Sequence, residues 1–271
     1  MKNHHAALAL FAACLAGSAA AQSSTATYRL TFNATWTNAN HPGAYPSNAH
    51  FSPLIGTTHN DNVSFWEPGG ISSPGMELMA ETGGTSILRT EINSAISAGT
   101  AHEVILGAAI NSPGSTTLEF EVGSDKPLFT LVTMIAPSPD WFVGTHGLSL
   151  RDGSGWVDEI VFDLDAYDAG TDSGPNFTSS NSDTQPQEPI TDFSTTAPFA
   201  GLPALGTYTL TLLSVDTCTA DVNGDGSLTP TDFTAWINAF NNNLPGCDQN
   251  SDGSCTPTDF TAWINNFNAG C

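Results

Sequence analysis

The sequence predicts a mainly β protein: an antiparallel β-sandwich with short helical insertions, followed by a small all-α module of two loop–helix repeats. Three observations carry that expectation. Apolar residues alternate with period two through most of 27–215. From about residue 217 the period shifts to 3.6. The string TPTDFTAWIN occurs twice, at 229–238 and 256–265, a duplication with a step of 27 residues.

The first strand is read from Tyr28, Leu30, Phe32, Ala34 and Trp36, which alternate with Arg29, Thr31, Asn33 and Thr35. Leu118, Phe120 and Val122 alternate with Glu119 and Glu121 in the same way. Leu128–Ala136 is almost continuously apolar, as expected of a central strand covered on both faces. A further strand is expected over 156–164, with Ile160, Phe162 and Leu164 facing one way, and Tyr208, Leu210 and Leu212 make a closing strand. Gly, Pro, Asn and Ser clusters separate these runs, the pattern of an antiparallel sandwich. Two helical insertions interrupt it. Ser73-Pro74 starts one, with Met76, Met79 and Ala80 on a single face. Leu88, Ile92 and Ile96 recur every four residues in the other, and Gly99 is its stop. The stretch 171–198, rich in Ser, Asp, Pro and Gln, is expected to be a long surface loop.

Composition narrows the class. The chain has 271 residues, with 5 Lys plus Arg against 27 Asp plus Glu, a formal net charge of −22. Such a surface repels nucleic acid, so none is expected as a partner. Only 12% of residues are charged, so the acidity reflects scarce bases rather than acidic tracts, and it leaves carboxylates for hard cations.

Residues 1–21 read as a signal peptide: Lys2, an apolar run over 6–16, then Ala19-Ala20-Ala21 before Gln22. The run is too short to span a bilayer, which takes about 20 apolar residues. A lipoprotein site at Cys14 would leave a shorter apolar core still. A secreted or cell-surface protein is expected, with the β-domain over 22–216 and the repeat module over 217–271. Four of the five cysteines, Cys218, Cys247, Cys255 and Cys271, lie in the last quarter, and the fifth, Cys14, leaves with the expected signal peptide. The four suggest two disulfides, with three connectivities open.

Each repeat opens on a polar loop, DVNGDGSLTPTD over 221–232 and DQNSDGSCTPTD over 248–259. Calcium takes six to eight oxygens, and a twelve-residue loop supplies them from positions 1, 3, 5, 7, 9 and 12. Those positions are Asp221, Asn223, Asp225, Ser227 (through its carbonyl), Thr229 and Asp232 in the first loop. In the second they are Asp248, Asn250, Asp252, Ser254, Thr256 and Asp259. Gly226 and Gly253 stand at the sharp sixth position. Thr229-Pro230-x-Asp232 is also a helix start, with cap, proline and first-turn acid in order. Two Ca2+ ions are therefore expected in this module.

A loop followed by a single helix, twice over, resembles the dockerin family across residues 218–271. The resemblance implies docking onto a cohesin-like partner through the helices. Pro230 and Pro257 stand where cellulosomal dockerins carry a small hydroxyl residue, and Asn238-Ala239 where they carry a basic pair. The TDFTAWIN helices look more like the dockerin-type tails of exported planctomycete-like bacterial proteins, so a cell-surface anchoring partner is an equal expectation.

Three further stretches carry a second resemblance. Residues 28–70 contain YRLTFNATW, HPGAYPSNAHFSPLIG and FWEPGG; 137–144 read PSPDWFVG; 167–174 read YDAGTDSG. Together they resemble the spondin domain, the N-terminal β-sandwich of extracellular-matrix spondins, over nearly all of 26–216. Asp140 follows the Leu128–Ala136 strand, and Asp168 and Asp172 follow the 156–164 strand, so loops at one edge can gather three carboxylates that need a cation. The resemblance implies that Asp140, Asp168 and Asp172 hold one Ca2+, with Asp163 and Asp165 as alternatives. Animal spondin domains carry a cysteine pair in the region corresponding to 147–155, which here has none.

An enzyme is the rival class. Glu67, Glu77, Glu81, Asp158, Glu159 and Asp163 are acids without a motif that marks a hydrolytic pair. His41, His50, His59, His102 and His146 show no metalloprotease spacing, and DGSGW reads as a hairpin turn rather than a nucleophile elbow. A non-catalytic adhesion or matrix-type protein is expected, meeting an extracellular glycan, lipid headgroup or surface protein through its β-domain. The alternative is a polysaccharide-binding or polysaccharide-degrading component, for which Trp141, beside Asp140 in a turn, is the expected exposed stacking ring.

Overall fold

The structure is a computed structural model that describes residues 24–42, 45–153, 155–224 and 228–270. The expected signal peptide lies outside the described residues. Among those described, no helix is long and apolar enough to cross a membrane. Contacts group the chain into two compact units that part between Cys218 and Thr219.

The first unit is the mainly β sandwich. One sheet has four antiparallel strands in the order Glu159–Asp163, Gly206–Thr217, Ser24–Ala34, Gly114–Gly123. The alternation in Ser24–Ala34 is realised as read: Tyr28, Leu30 and Phe32 are fully buried, and the opposite face carries Arg29, paired with Glu119 at 2.7 Å. In the larger sheet Leu128–Ala136 is central, paired with Trp141–Ser149 on one side and with His50–Phe51 and Ile55–His59 on the other.

That strand shows why its sequence is apolar throughout. Phe129, Leu131 and Ile135 point into the sandwich core with Phe32, Phe51 and Leu210. Val132, Met134 and Ala136 point the other way, into a second cluster with Met76, Met79, Leu88 and Ile92 of the two helices. Both faces are dry, so neither alternate position tolerates a charge. The helices are Pro74–Thr82, capped by Ser73 Oγ accepting from the Met76 amide at 3.2 Å, and Ser86–Ser97.

Two sequence expectations are corrected. The strand expected over 156–164 is broken: Gly155–Trp156 pairs with Arg151–Asp152 as a short hairpin, and the sheet strand begins only at Glu159. The 171–198 segment is more than a surface loop. Thr191–Asp192 adds a strand beside Tyr167–Asp168, and Phe177 and Ile190 are buried. Its polar composition hides two apolar anchors whose partners lie far away in sequence.

The second unit contains the helices Pro230–Asn242 and Pro257–Ala269. The duplication places Trp236 and Trp263 at equivalent positions, and both are buried with Ala220 at the centre of the module. Each indole satisfies its N–H on a backbone carbonyl, Cys247 and Ala220 respectively, both at 3.2 Å. Cys247 and Cys255 are joined by a disulfide.

Candidate metal centre

The acidic centre of the β-domain is built where the central strand ends. After Ala136 the chain turns through Ser138, whose Oγ accepts from the Trp141 amide at 3.0 Å and donates to the Trp141 carbonyl at 3.2 Å. The turn carries Asp140 inward, and its side chain is fully buried. Asp140 Oδ2 accepts from the Thr171 amide at 2.8 Å, the Asp172 amide at 3.1 Å and the Thr171 hydroxyl at 3.3 Å. Its other oxygen, Oδ1, is buried and has no hydrogen-bond partner. Burial, and then the charge of Asp168, push the Asp140 carboxyl up to about 7 against those three hydrogen bonds.

Asp168 lies on the strand beside Trp141. Its Oδ1 accepts from the Gly170 amide at 2.9 Å and its Oδ2 from the Trp141 indole at 3.2 Å, while burial raises its carboxyl. Asp172 is buried too, and its carboxylate is turned to its own loop: Oδ1 accepts from the Gly174 amide at 2.7 Å and Oδ2 from the Ser182 amide at 3.0 Å. Gly170 makes the turn between them. Its φ of +73° is left-handed, and a Cβ there would overlap the Glu188 carbonyl. The YDAGTDSG segment thus folds back on Asp140 because a glycine stands between the two acids.

The alternatives Asp163 and Asp165 are exposed, and the acids that raise Asp165 after burial are Asp192 and Asp163. Glu81, one of the acids without a motif, reaches this region from the helix Pro74–Thr82. Burial raises its carboxyl, the Thr171 side chain opposes that, and Glu77, Asp172 and Asp183 add to it. Its Oε1 is buried without a partner. No sequence signal joins residue 81 to residue 171; only the fold does.

Trp141 corrects a further expectation. It is 1% exposed and packs against Phe177, Phe193 and Phe199, with ring centroids 5.0, 5.1 and 5.4 Å away. Position 141 already belongs to a strand, and alternation sends Trp141 to the sandwich core and Phe142 to the helix side. It cannot stack on a sugar.

The chemistry of this donor set fits a hard cation. A buried carboxylate oxygen without a donor, beside the half-buried carboxylate of Asp168, is unfavourable when ionised, and a cation compensates both charges. Among the described residues no three Asp, Glu, His or Cys side chains gather closely enough to hold an ion by themselves, so neutral oxygens would have to complete the shell.

In the second unit, Asp225, Gly226 and Ser227 of the first loop lie outside the described residues. Asp221 is buried and accepts from the Gly224 amide at 2.8 Å; the amide of Asn223 reaches Asp232 Oδ1 at 3.4 Å. In the second loop Asp248 accepts from the amides of Asp252 and Gly253 at 3.1 and 2.9 Å. Asn250 Oδ1 accepts from the Asp252 amide at 3.0 Å, and Asp252 Oδ1 from the Ser254 amide at 2.9 Å. Each loop ends in a capping box, Thr229 with Asp232 and Thr256 with Asp259. Burial acts to raise Asp259, but bonds from the Thr256, Gln249 and Asn250 amides and the Thr256 hydroxyl outweigh it and hold its carboxyl below the usual range.

Comparison with known proteins agrees with both units. The profile of the family described as Spondin_N matches residues 26–202, and that of the dockerin type I domain matches residues 219–268. Type I dockerin domains bind calcium. Human spondin-2 is 38% identical over 178 residues, covering 64% of this chain and 54% of the relative. Rat spondin-1 is 39% identical over 175 residues, covering 61% of this chain and 21% of the relative. The chain thus spans about half the length of spondin-2 and about a fifth of spondin-1. With its β-sandwich matched nearly end to end, the chain belongs to the Spondin_N family and carries a type I dockerin domain behind that fold.

Proposed function

We propose that this is an exported, non-catalytic, calcium-binding protein of adhesion or extracellular-matrix type. The mature chain starts at Gln22, its β-domain runs to residue 216, and the module over 217–271 docks it onto a cohesin-like partner or anchors it at the cell surface. The β-domain holds one Ca2+ through Asp140, Asp168 and Asp172 and meets an extracellular glycan, lipid headgroup or surface protein. The module holds two, through the twelve loop positions from Asp221 to Asp232 and from Asp248 to Asp259.

The observation that carries this reading is the buried, unpartnered Asp140 Oδ1 with Asp168 beside it, in a domain of the spondin family. When bound, calcium supplies the positive charge that the two carboxylates lack. The residues do the rest: Thr171 and Asp172 hold Asp140 by their amides, and Trp141 and Gly170 aim Asp168. The non-catalytic reading is supported by His59, whose two ring nitrogens are both occupied, by the Asn60 carbonyl and the Thr130 hydroxyl at 2.8 Å each.

Calorimetric titration of calcium into the full mature chain tests the proposal. Three ions are expected in the wild type, two in an Asp140→Ala/Asp168→Ala variant and one in an Asp232→Ala/Asp259→Ala variant. An unchanged stoichiometry in the first variant would remove the β-domain site.

A further inference from the structure

Tyr45 lines two clefts. One, of about 480 Å³, is bounded by Pro46, Pro198 and the segment 176–179. The other, of about 530 Å³, is bounded by Asn48, His50 and Asn111. Each is of the size that small ligands occupy. The Tyr45 ring is fixed. Its hydroxyl donates to the Ser112 carbonyl at 2.7 Å, and Trp36 meets it edge-on with centroids 5.3 Å apart. Trp36 in turn rests on Phe177, 5.3 Å away, so the platform is rooted in the sandwich core. A ring already immobilised loses little further freedom when a ligand stacks on it.

The surroundings select the ligand. Among the described residues no Asp, Glu, Lys or Arg lines either cleft, in a chain with 27 acids and a net charge of −22. The exposed side chains of Asn48, Asn111, Asn176 and Thr178 make no hydrogen bond to other described residues; the bonds at Asn48 and Asn176 use backbone atoms. Carboxamides and hydroxyls both donate and accept, so they match a surface dense in hydroxyls that does the same. An uncharged cleft gives an ionic ligand no partner for its charge. A proline-rich peptide can also stack on tyrosine and proline, but it lacks backbone donors at its prolines and would leave the carboxamide oxygens unanswered.

We propose that the Tyr45 groove binds a neutral oligosaccharide, with Tyr45 as the platform under one sugar ring and Asn48, Asn111 and Asn176 reading hydroxyls in the two clefts that Tyr45 lines. Two clefts that share Tyr45 call for a chain of several sugars rather than a single unit. The inference gives the binding role proposed above a ligand class and rests on that reading only in taking the β-domain as a binder.

The test is calorimetry on the full mature chain in saturating calcium, with cello-, xylo-, manno- and N-acetylchito-hexaose as probes. Binding of at least one hexaose is expected, weakened about tenfold or more in Tyr45→Ala and kept within about threefold in Tyr45→Phe. Near-UV circular dichroism checks that the variants fold. Should Tyr45→Ala fail to fold, Asn111→Ala/Asn176→Ala, on exposed side chains, is expected to show the same loss. No binding of any hexaose overturns the proposal, as does affinity indifferent to these substitutions. Binding of decaproline instead, lost with Tyr45→Ala, assigns the groove to peptide and overturns it as well. Calcium stoichiometry measured in parallel judges the acidic centre separately: the sugar result can fail while three ions still bind, and the reverse.

Discussion

The indole N–H of Trp141 donates to Asp168 Oδ2 at 3.2 Å, so a ring buried in the sandwich core aims a carboxylate of the acidic centre. Two roles meet in one side chain, and two substitutions separate them. Trp141→Phe keeps an aromatic ring but removes the donor to the half-buried Asp168 carboxylate, a loss of about 1–3 kcal/mol. Trp141→Ala also empties the space among Phe177, Phe193 and Phe199 and should cost about 3–5 kcal/mol. Urea unfolding of the calcium-free chain measures both. Equal losses would mean that the hydrogen bond, not the packing, dominates.

Gly170→Ala should damage the acidic centre without touching an acid. The residue sits at φ +73°, its amide donates to Asp168, and a Cβ would overlap the Glu188 carbonyl. Left-handed strain alone costs about 1–3 kcal/mol. The overlap adds to it and forces 168–172 away from Asp140. Loss of one calcium ion from the titration, with the module's two retained, is the expected result.

What was legible in the sequence follows the range of the interactions involved. Leu128–Ala136 and the three helix starts at Ser73, Thr229 and Thr256 were readable, because apolar period and capping act within a few residues. Trp141 reads as exposed in the sequence because the Pro-rich turn three residues earlier obscures that the strand has already begun. Glu81 beside Thr171, and Tyr45 held by Ser112, depend on contacts across 90 and 67 residues, which no local pattern encodes. The order Asp140, Asp168, Asp172 reads as a motif; that each oxygen of Asp172 also accepts one bond from its own loop, from the Gly174 or the Ser182 amide, does not.

Asp259 both caps its helix and ends its loop, with its two oxygens accepting from Gln249, Asn250 and Thr256. Asp259→Ala should therefore weaken the helix Pro257–Ala269 even in EDTA, by about 0.5–2 kcal/mol for the lost cap contacts. Adding calcium should then recover less helicity than in the wild type. Far-UV circular dichroism with and without calcium separates the effects, and a variant with wild-type helicity in EDTA would argue against the capping role.

The Cys247–Cys255 disulfide bridges the first part of the second loop, from the residue before Asp248 to the residue after Ser254. For a separation of 8 residues, chain entropy gives about 2–3 kcal/mol of stabilisation. Cys247→Ser/Cys255→Ser should lower the module's unfolding free energy in urea by that amount while the β-domain transition stays in place. Trp236 reports the change directly, because its indole donates to the Cys247 carbonyl.

His59 gives the β-domain a pH dependence with a definite sign. It is 3% exposed, and burial holds its pKa below the ordinary value, with the Asn60 and Val63 carbonyls opposing. The Asn60 carbonyl requires a proton on Nδ1, so Nε2 accepts from the Thr130 hydroxyl, whose oxygen in turn accepts from the Gly147 amide at 3.0 Å. The neutral ring fits this chain, and burial opposes a second ring proton. Above about pH 6.5 both folded and unfolded states keep His59 neutral, and its contribution is intact. As the pH falls below that value the unfolded chain takes up a proton that the folded one refuses. Stability is lost until the depressed folded pKa is passed. His41, also lowered by burial, acts in the same direction. Unfolding free energies at a series of pH values from 7.5 downward should therefore decline more steeply in the wild type than in His59→Gln, and parallel slopes would show that His59 does not carry the effect.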